Sequence, residues 1–138
     1  RSLIEWAKQQ GIDTMSYGTL GGGILSGAYR KIPDFAENDI RNSFYSVYYK
    51  EPVFSNIMIL FETIDKIAKV HGKPAAQVVI NWSTQQDAVG TALIGAHNGA
   101  KAKRNCEAFS WKLSKEEIHM ISEEASRLKL TMLEPSWD

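Results

Sequence analysis

The chain has 138 residues, of which 43% are hydrophobic and 23% are charged, and its 16 basic residues balance 16 acidic ones. These values are typical of one soluble globular domain, and the zero net charge provides no field to attract nucleic acid or an anionic membrane. No apolar run approaches the roughly 20 residues that cross a bilayer. The single cysteine, Cys106, excludes an internal disulfide and gives no metal-binding pattern, which favours a reducing, cytoplasmic compartment.

The first elements are a helix, a strand and a glycine-rich loop. Helical spacing over residues 2–10 predicts a helix that ends at Gly11, and β-forming side chains over residues 12–17 predict a short buried strand. Three consecutive glycines, residues 21–23, follow that strand. Because glycine has no Cβ and tolerates positive φ, such a loop can place its N–H groups around phosphate oxygens. An ordinary tight turn is the alternative.

A long connection without sustained periodicity covers residues 28–52. Its aromatic residues, set among charges and prolines, are Tyr29, Phe35, Phe44, Tyr45, Tyr48 and Tyr49. A connection of this length is typical of a functional lid or binding loop. The alternative is that the aromatic side chains only pack the loop onto the body of the domain.

The remaining elements alternate helices with one more strand. Apolar spacing predicts an amphipathic helix over 53–71, ended by Gly72, and a second helix with Pro74 in its first turn that runs to about residue 86. Residues 90–94 predict a strand. Asn98 is a predicted N-cap for a helix over 99–108, and a capping box at 114–117 predicts the start of a final helix. The tail, 129–138, has no pattern.

Strands separated by helices imply parallel βα units. Two strands can neither close a barrel nor cover both faces of an open sheet, and a parallel sheet is normally buried on both faces. The chain also begins at Arg1, without methionine, inside a helical pattern. We therefore expect a segment of a larger α/β protein.

Four motifs, in order and correctly spaced, resemble the aldo-keto reductase family. Residues 16–29 are similar to the seventh-strand loop Y-S-P-L-G-G-G-L-L-T-G-K-Y, and residues 93–105 to the eighth-strand signature I-I-G-A-R-N-x-x-Q-L-x-E-N. Residues 67–82 resemble I-A-x-x-x-G-x-x-x-A-Q-V-A-L-A-W, and residues 111–118 resemble W-x-L-S-x-E-E-L. The resemblance covers residues 1–128.

Members of that family are (β/α)8 TIM barrels that transfer hydride between NAD(P)H and a carbonyl or alcohol. The resemblance implies that residues 1–138 are the C-terminal segment of such a barrel, from helix six to the closing helices, with 28–52 as a lid-like loop. It implies NADPH as cofactor, with NADH possible, and a small carbonyl substrate in the complete enzyme. Both motif loops would lie at the C-terminal ends of strands, where barrels of this class carry their sites.

The resemblance also assigns cofactor-binding residues. Tyr17 matches an aromatic residue that stacks on nicotinamide, its alternative being a tyrosine packed at the barrel rim. Arg41 matches a clamping loop arginine, its alternative being an arginine solvated at the surface. The residues that match the pyrophosphate loop, through backbone N–H groups, are Gly18, Thr19, Leu20, Gly21 and Gly22. The residues that match the adenosine end are Gly95, Ala96, His97, Lys101, Arg104 and Asn105.

A helix N-terminus suits the adenosine end because it offers N–H groups and a partial positive charge to a 2′-phosphate. The cations of Lys101, Lys103 and Arg104 oppose the helix dipole, a conflict that a bound anion would relieve; an ordinary basic surface patch is the alternative. His97 either bonds a phosphate or caps the turn.

Three other residues are expected to have no role in binding. His71 and His119 are interpreted as helix-surface residues. Cys106 is interpreted as a small core residue.

The sequence departs from the family pattern at several positions. Gly18 and Thr19 replace the usual Ser-Pro, and Ala28 replaces a lysine that contacts phosphate. Lys101 and Arg104 replace a glutamine and a glutamate. These changes favour phosphate over adenine contacts and hence NADPH, although they also match the pattern of a decaying site.

The family's catalytic Asp, Tyr, Lys and His lie before the region present here, so no catalytic residue is assigned. No metal ligand is assigned either. A positioned proton donor is needed for general acid catalysis, and this chain supplies none in the family's arrangement. The first hypothesis is therefore a cofactor-binding segment that is inactive alone. The alternative is a truncated fragment that self-associates through exposed strand edges and no longer binds cofactor.

Overall fold

The computed structural model describes residues 2–87 and 89–128. The helices and strands in these residues are α1 (Ser2–Gln9), β1 (Thr14–Ser16), α2 (Val53–His71), α3 (Ala75–Thr84), β2 (Val89–Ala92), α4 (Gly99–Cys106) and α5 (Lys115–Arg127). Short 3-10 helices occupy Gly21–Ser26, Ile40–Asn42, Ser46–Tyr49 and Glu107–Ser110. The patternless tail, 129–138, lies outside the described residues.

Strands β1 and β2 pair in parallel, with Met15 opposite Thr91 and Ser16 opposite Ala92. This pairing confirms the prediction of two parallel strands separated by helices. The prediction that residues 12–17 form a buried strand is wrong in part. β1 is three residues long, and Met15 and Tyr17 are 68% and 80% exposed. Burial of a parallel strand needs layers on both faces, and within the described residues the sheet has two strands.

The hydrophobic core lies around α2, whose buried stripe recurs every three or four residues as the sequence predicts. The buried residues of this helix are Phe54, Ile57, Leu60, Phe61, Ile64, Ile67 and Ala68. The stripe packs against α3 and α5, which contribute Val78, Val79 and Ile121. Gly72 ends α2 in the left-handed conformation, and Pro74 precedes α3 rather than lying within its first turn.

The last two helices have the N-terminal caps that the sequence predicts. The Asn98 side chain accepts a hydrogen bond from the Lys101 amide, and Ser114 and Glu117 form a reciprocal capping box. α4 ends at Cys106 rather than at residue 108. Cys106 is exposed, so its interpretation as a core residue is wrong. The reason is that α4 lies on the outside of the domain and buries none of its residues.

Among the described residues, none of the helices is long and apolar enough to cross a membrane.

Candidate functional site

The two motif loops begin side by side because they leave neighbouring parallel strands at the same edge. The Leu93 amide donates to the Ser16 carbonyl at 2.9 Å. The Thr19 hydroxyl donates to the Leu93 carbonyl at 3.3 Å and lies 3.2 Å from Ser16 Oγ. These bonds join the start of the glycine loop to the segment that leads into Gly95.

Several backbone N–H groups of the glycine loop have no acceptor in the part of the chain that the structure describes. Gly18, Gly21 and Gly22 have φ values of 69°, 54° and 63°, so the chain turns through left-handed conformations. The Gly21 amide donates to the Gly18 carbonyl at 2.7 Å, whereas the amides of Thr19, Leu20 and Gly22 donate to no acceptor in the described part of the chain. Free N–H groups on a concave loop form an anion-binding arrangement.

The N-terminus of α4 offers a second set of donors. The Asn98 side chain accepts from the Lys101 amide at 2.9 Å, while the amides of Gly99 and Ala100 have no acceptor within 2–87 and 89–128. Such amides, with the helix dipole, attract an anion. The side chains of Lys101 and Arg104 are exposed to solvent.

The other residues predicted for the adenosine end lie on the same turn and helix. Gly95, Ala96 and His97 are exposed, and Asn105 is half-buried. A Cβ built on Gly95 would meet no atom of the described residues within 4 Å, so none of these residues crowds the turn.

Two buried polar residues of α3, which sequence reasoning did not assign to the site, position α4 and the turn after it. Gln77 Nε2 donates to the Arg104 carbonyl at 2.7 Å. Asn81 Nδ2 donates to the carbonyls of Ala108 and Trp111 at 3.2 and 2.8 Å. Both side chains are buried, so these bonds are shielded from water. The sequence signal that could have indicated this role is the pair Gln77 and Asn81, two amide side chains four residues apart on an otherwise apolar helix face.

Tyr17 directly follows β1 and has an exposed ring, which leaves the ring faces open to a planar ligand. Its neighbour is Tyr45. Burial, and then the charge and hydrogen bond of Tyr17, raise the pKa of the Tyr45 hydroxyl.

Arg41 lies within the aromatic loop, residues 28–52, and is held by other residues of that loop. Its Nε donates to Asp39 Oδ1 at 2.7 Å, and its Nη groups donate to Asp39 Oδ2 and the Tyr29 hydroxyl. The guanidinium also lies 4.1 Å from the centre of the Phe35 ring. The hydrogen bonds with Arg41 lower the pKa of Asp39 to about 2. The Arg41 side chain is 27% exposed, and to clamp a cofactor it would have to exchange its bonds with Asp39 for bonds with a phosphate.

The segment 28–52 packs its aromatic residues onto the domain, as one of the two alternatives predicted. Tyr29, Phe35 and Tyr49 meet edge to face, with ring centres 4.8 to 5.7 Å apart. Phe44, in contrast, remains exposed. The packed end of the segment also reaches the glycine loop, where the Tyr49 hydroxyl donates to the Gly22 carbonyl at 3.1 Å.

His71 is not the simple surface residue that the sequence indicated. Its Nε2 and Glu117 Oε1 are joined by a hydrogen bond of 2.7 Å, and its ring lies 4.6 Å from that of Trp111. It therefore ties the end of α2 to the start of α5. His119 is exposed, as expected. No group of three or more potential metal ligands occurs among the described residues.

The structure is thus an α/β protein with two parallel strands. The glycine loop and the N-terminus of α4 present backbone amides that have no acceptor among the described residues. The chain belongs to the aldo/keto reductase family, whose sequence model matches residues 1–125.

Two curated relatives show the degree of similarity. The chain is 28% identical over 117 residues to "Aldo-keto reductase YhdN" of Bacillus subtilis (strain 168), covering 84% of this chain and 35% of that protein. It is 32% identical over 123 residues to "Probable NAD(P)H-dependent D-xylose reductase xyl1" of Aspergillus terreus (strain NIH 2624 / FGSC A1156), covering 87% of this chain and 31% of that protein. The chain thus spans about a third of the length of these curated relatives.

A solved structure gives the fold. The glycerol dehydrogenase AKR11B4 from Gluconobacter oxydans matches with a TM-score of 0.79 at 22% identity, covering 100% of this chain and 42% of that one. The fold is therefore that of a C-terminal segment of a TIM barrel, as the sequence predicted.

Proposed function

We propose that residues 1–138 are a partial reductase domain that supplies the cofactor-binding part of an NAD(P)H-dependent oxidoreductase acting on a carbonyl or alcohol. The observation that carries this proposal is that two sets of backbone amides, which have no acceptor within residues 2–87 and 89–128, follow the ends of adjacent strands. The D-xylose reductases among the relatives are named as NAD(P)H-dependent, which supports a nicotinamide cofactor.

Each part of the site has a proposed role when the cofactor is bound. The Tyr17 ring stacks on nicotinamide, and residues 18–22 bind the pyrophosphate through backbone N–H groups. The segment 95–105 receives the adenosine end, with the exposed cations of Lys101 and Arg104 near a 2′-phosphate. This charge favours NADPH over NADH. The cofactor supplies the hydride, and the proton donor comes from the rest of the complete barrel.

The test is a titration of the purified chain with NADPH and NADH, followed by cofactor fluorescence and combined with mass measurement in solution. We expect saturable binding by a monomer, tighter for NADPH. We also expect no NADPH oxidation with a panel of aldehydes, because no proton donor is assigned in this chain. Absence of saturable binding would overturn the cofactor proposal, and clear turnover would overturn the proposed inactivity.

A second candidate function is a fragment that self-associates without cofactor. Large apolar side chains are exposed on α1, in β1 and directly after it, which favours this candidate because such side chains mark interaction surfaces. They are Leu3, Trp6, Met15 and Tyr17. A dimer or larger assembly that binds no NADPH would support this candidate. For either function we propose a cytoplasmic location, on the basis of the single unpaired Cys106.

A further inference from the structure

The C-terminal part of the aromatic loop contacts the central glycine of the candidate phosphate loop in two ways. The Tyr49 hydroxyl donates to the Gly22 carbonyl at 3.1 Å. The Tyr45 ring lies where a side chain on Gly22 would be, since a Cβ built there falls 2.6 Å from Tyr45 Cδ2. Residues more than 20 positions downstream therefore set the surroundings of Gly22.

These contacts fix one peptide group of the loop. The Gly22 carbonyl and the Gly23 N–H belong to the same planar peptide. The carbonyl accepts from Tyr49, and the N–H donates to the Leu20 carbonyl at 2.9 Å. The Gly22 N–H, which donates to no acceptor in the described residues, belongs to the preceding peptide, and a bonded neighbouring peptide reduces the number of directions that this N–H can take. Without such a restraint, consecutive glycines have many accessible conformations, and ordering them on binding would reduce affinity.

Tyr49 is well placed to act as this restraint. It is 5% exposed and is held edge to face by Phe35 and Tyr29, so its hydroxyl has little freedom. Burial is the main cause that raises the pKa of Tyr49 to about 12, so the hydroxyl remains protonated and can donate at neutral pH.

We infer that Tyr49 is a positioning residue for the binding of a dinucleotide pyrophosphate: it holds the Gly22 peptide so that the loop amides are arranged before the ligand arrives. This inference rests on the proposed cofactor function. It assigns to the aromatic loop a role in shaping the phosphate site, in addition to packing.

The test compares Tyr49→Phe with Tyr29→Phe in the full chain, using NADPH and adenosine 2′,5′-bisphosphate as probes. Tyr29→Phe is the matched control because it removes a hydroxyl from the same aromatic cluster, one that accepts from Arg41 rather than bonding the glycine loop. The bisphosphate carries the adenosine end without a pyrophosphate. Tyr49→Phe should weaken NADPH binding about five-fold, the equivalent of one hydrogen bond, and leave bisphosphate binding unchanged. Tyr29→Phe should leave both unchanged.

Three results would overturn the inference: unchanged NADPH affinity in Tyr49→Phe, equal weakening of both probes, or equal effects of the two variants. If the parent chain binds neither probe, the proposed function fails and the inference with it. Amide hydrogen exchange provides a readout without ligand, in which Tyr49→Phe should speed exchange at Gly23 relative to the parent chain. An unchanged exchange rate contradicts the positioning role even when NADPH binds.

Discussion

Replacing Gly22 by alanine tests whether the glycine loop and the Tyr45 ring are packed as the structure shows. Gly22 has a φ of 63°, a left-handed conformation that costs an L-residue about 1–2 kcal/mol. The new Cβ would also lie 2.6 and 2.7 Å from Cδ2 and Cδ1 of Tyr45, and overpacking of this kind typically costs about 1–3 kcal/mol. Together these terms predict that Gly22→Ala lowers the free energy of unfolding by about 2–5 kcal/mol.

A double-mutant cycle separates strain from clash. In a Tyr45→Ala background the ring is absent, so adding Gly22→Ala should cost only the backbone strain of about 1–2 kcal/mol. Urea unfolding followed by tryptophan fluorescence measures each free energy. Gly95→Ala is the control, with an expected change within about 0.5 kcal/mol, because a Cβ there meets no atom of the described chain within 4 Å. Equal losses from Gly22→Ala in both backgrounds would refute the packing of Tyr45 against this glycine.

Three further predictions concern charges and contacts away from that glycine. The Arg41 hydrogen bonds lower the pKa of Asp39 from 3.8 to about 2. The stability that these bonds provide is therefore present above pH 4 and is lost as the pH falls towards 2. Asp39→Asn should flatten this part of the curve of unfolding free energy against pH. His71→Ala removes the hydrogen bond and ring contact between α2 and the α5 region, so it should lower the free energy of unfolding in urea by about 1–2 kcal/mol. His119→Ala, at an exposed residue, should change that free energy by less than about 0.5 kcal/mol. Lys101→Ala should weaken NADPH binding more than NADH binding in fluorescence titrations; equal weakening would contradict a 2′-phosphate at α4.

Local sequence signals predicted most elements because their causes lie within one or two turns. The spacing of apolar residues fixed the extent of α2, and Gly72 marked its end. Asn98 and the Ser114–Glu117 pair marked the starts of α4 and α5, since their side chains bond amides three residues away. The parallel pairing followed from the order of elements.

Burial and side-chain partners were less predictable because they depend on residues distant in sequence. β1 has the composition of a buried strand, yet Met15 is exposed because burial depends on the layers packed over a sheet. His71 bonds Glu117, 46 residues later, and Gln77 bonds the carbonyl of Arg104, 27 residues later. The spacing of apolar residues along the sequence does not predict such pairs. The position of α4, and with it the candidate adenosine end, therefore became apparent only from the structure.

The departures from the family pattern have a different meaning once the backbone of the site is known. The proposed phosphate donors are main-chain amides, which substitutions of side chains leave in place. At position 19 the family's proline lacks an N–H, whereas Thr19 has an amide with no acceptor in the described residues and so adds a donor to the loop. Its hydroxyl also bonds the Leu93 carbonyl and connects the two strand ends. A change that resembles decay at the level of side chains therefore leaves the loop with one more group that can bind phosphate.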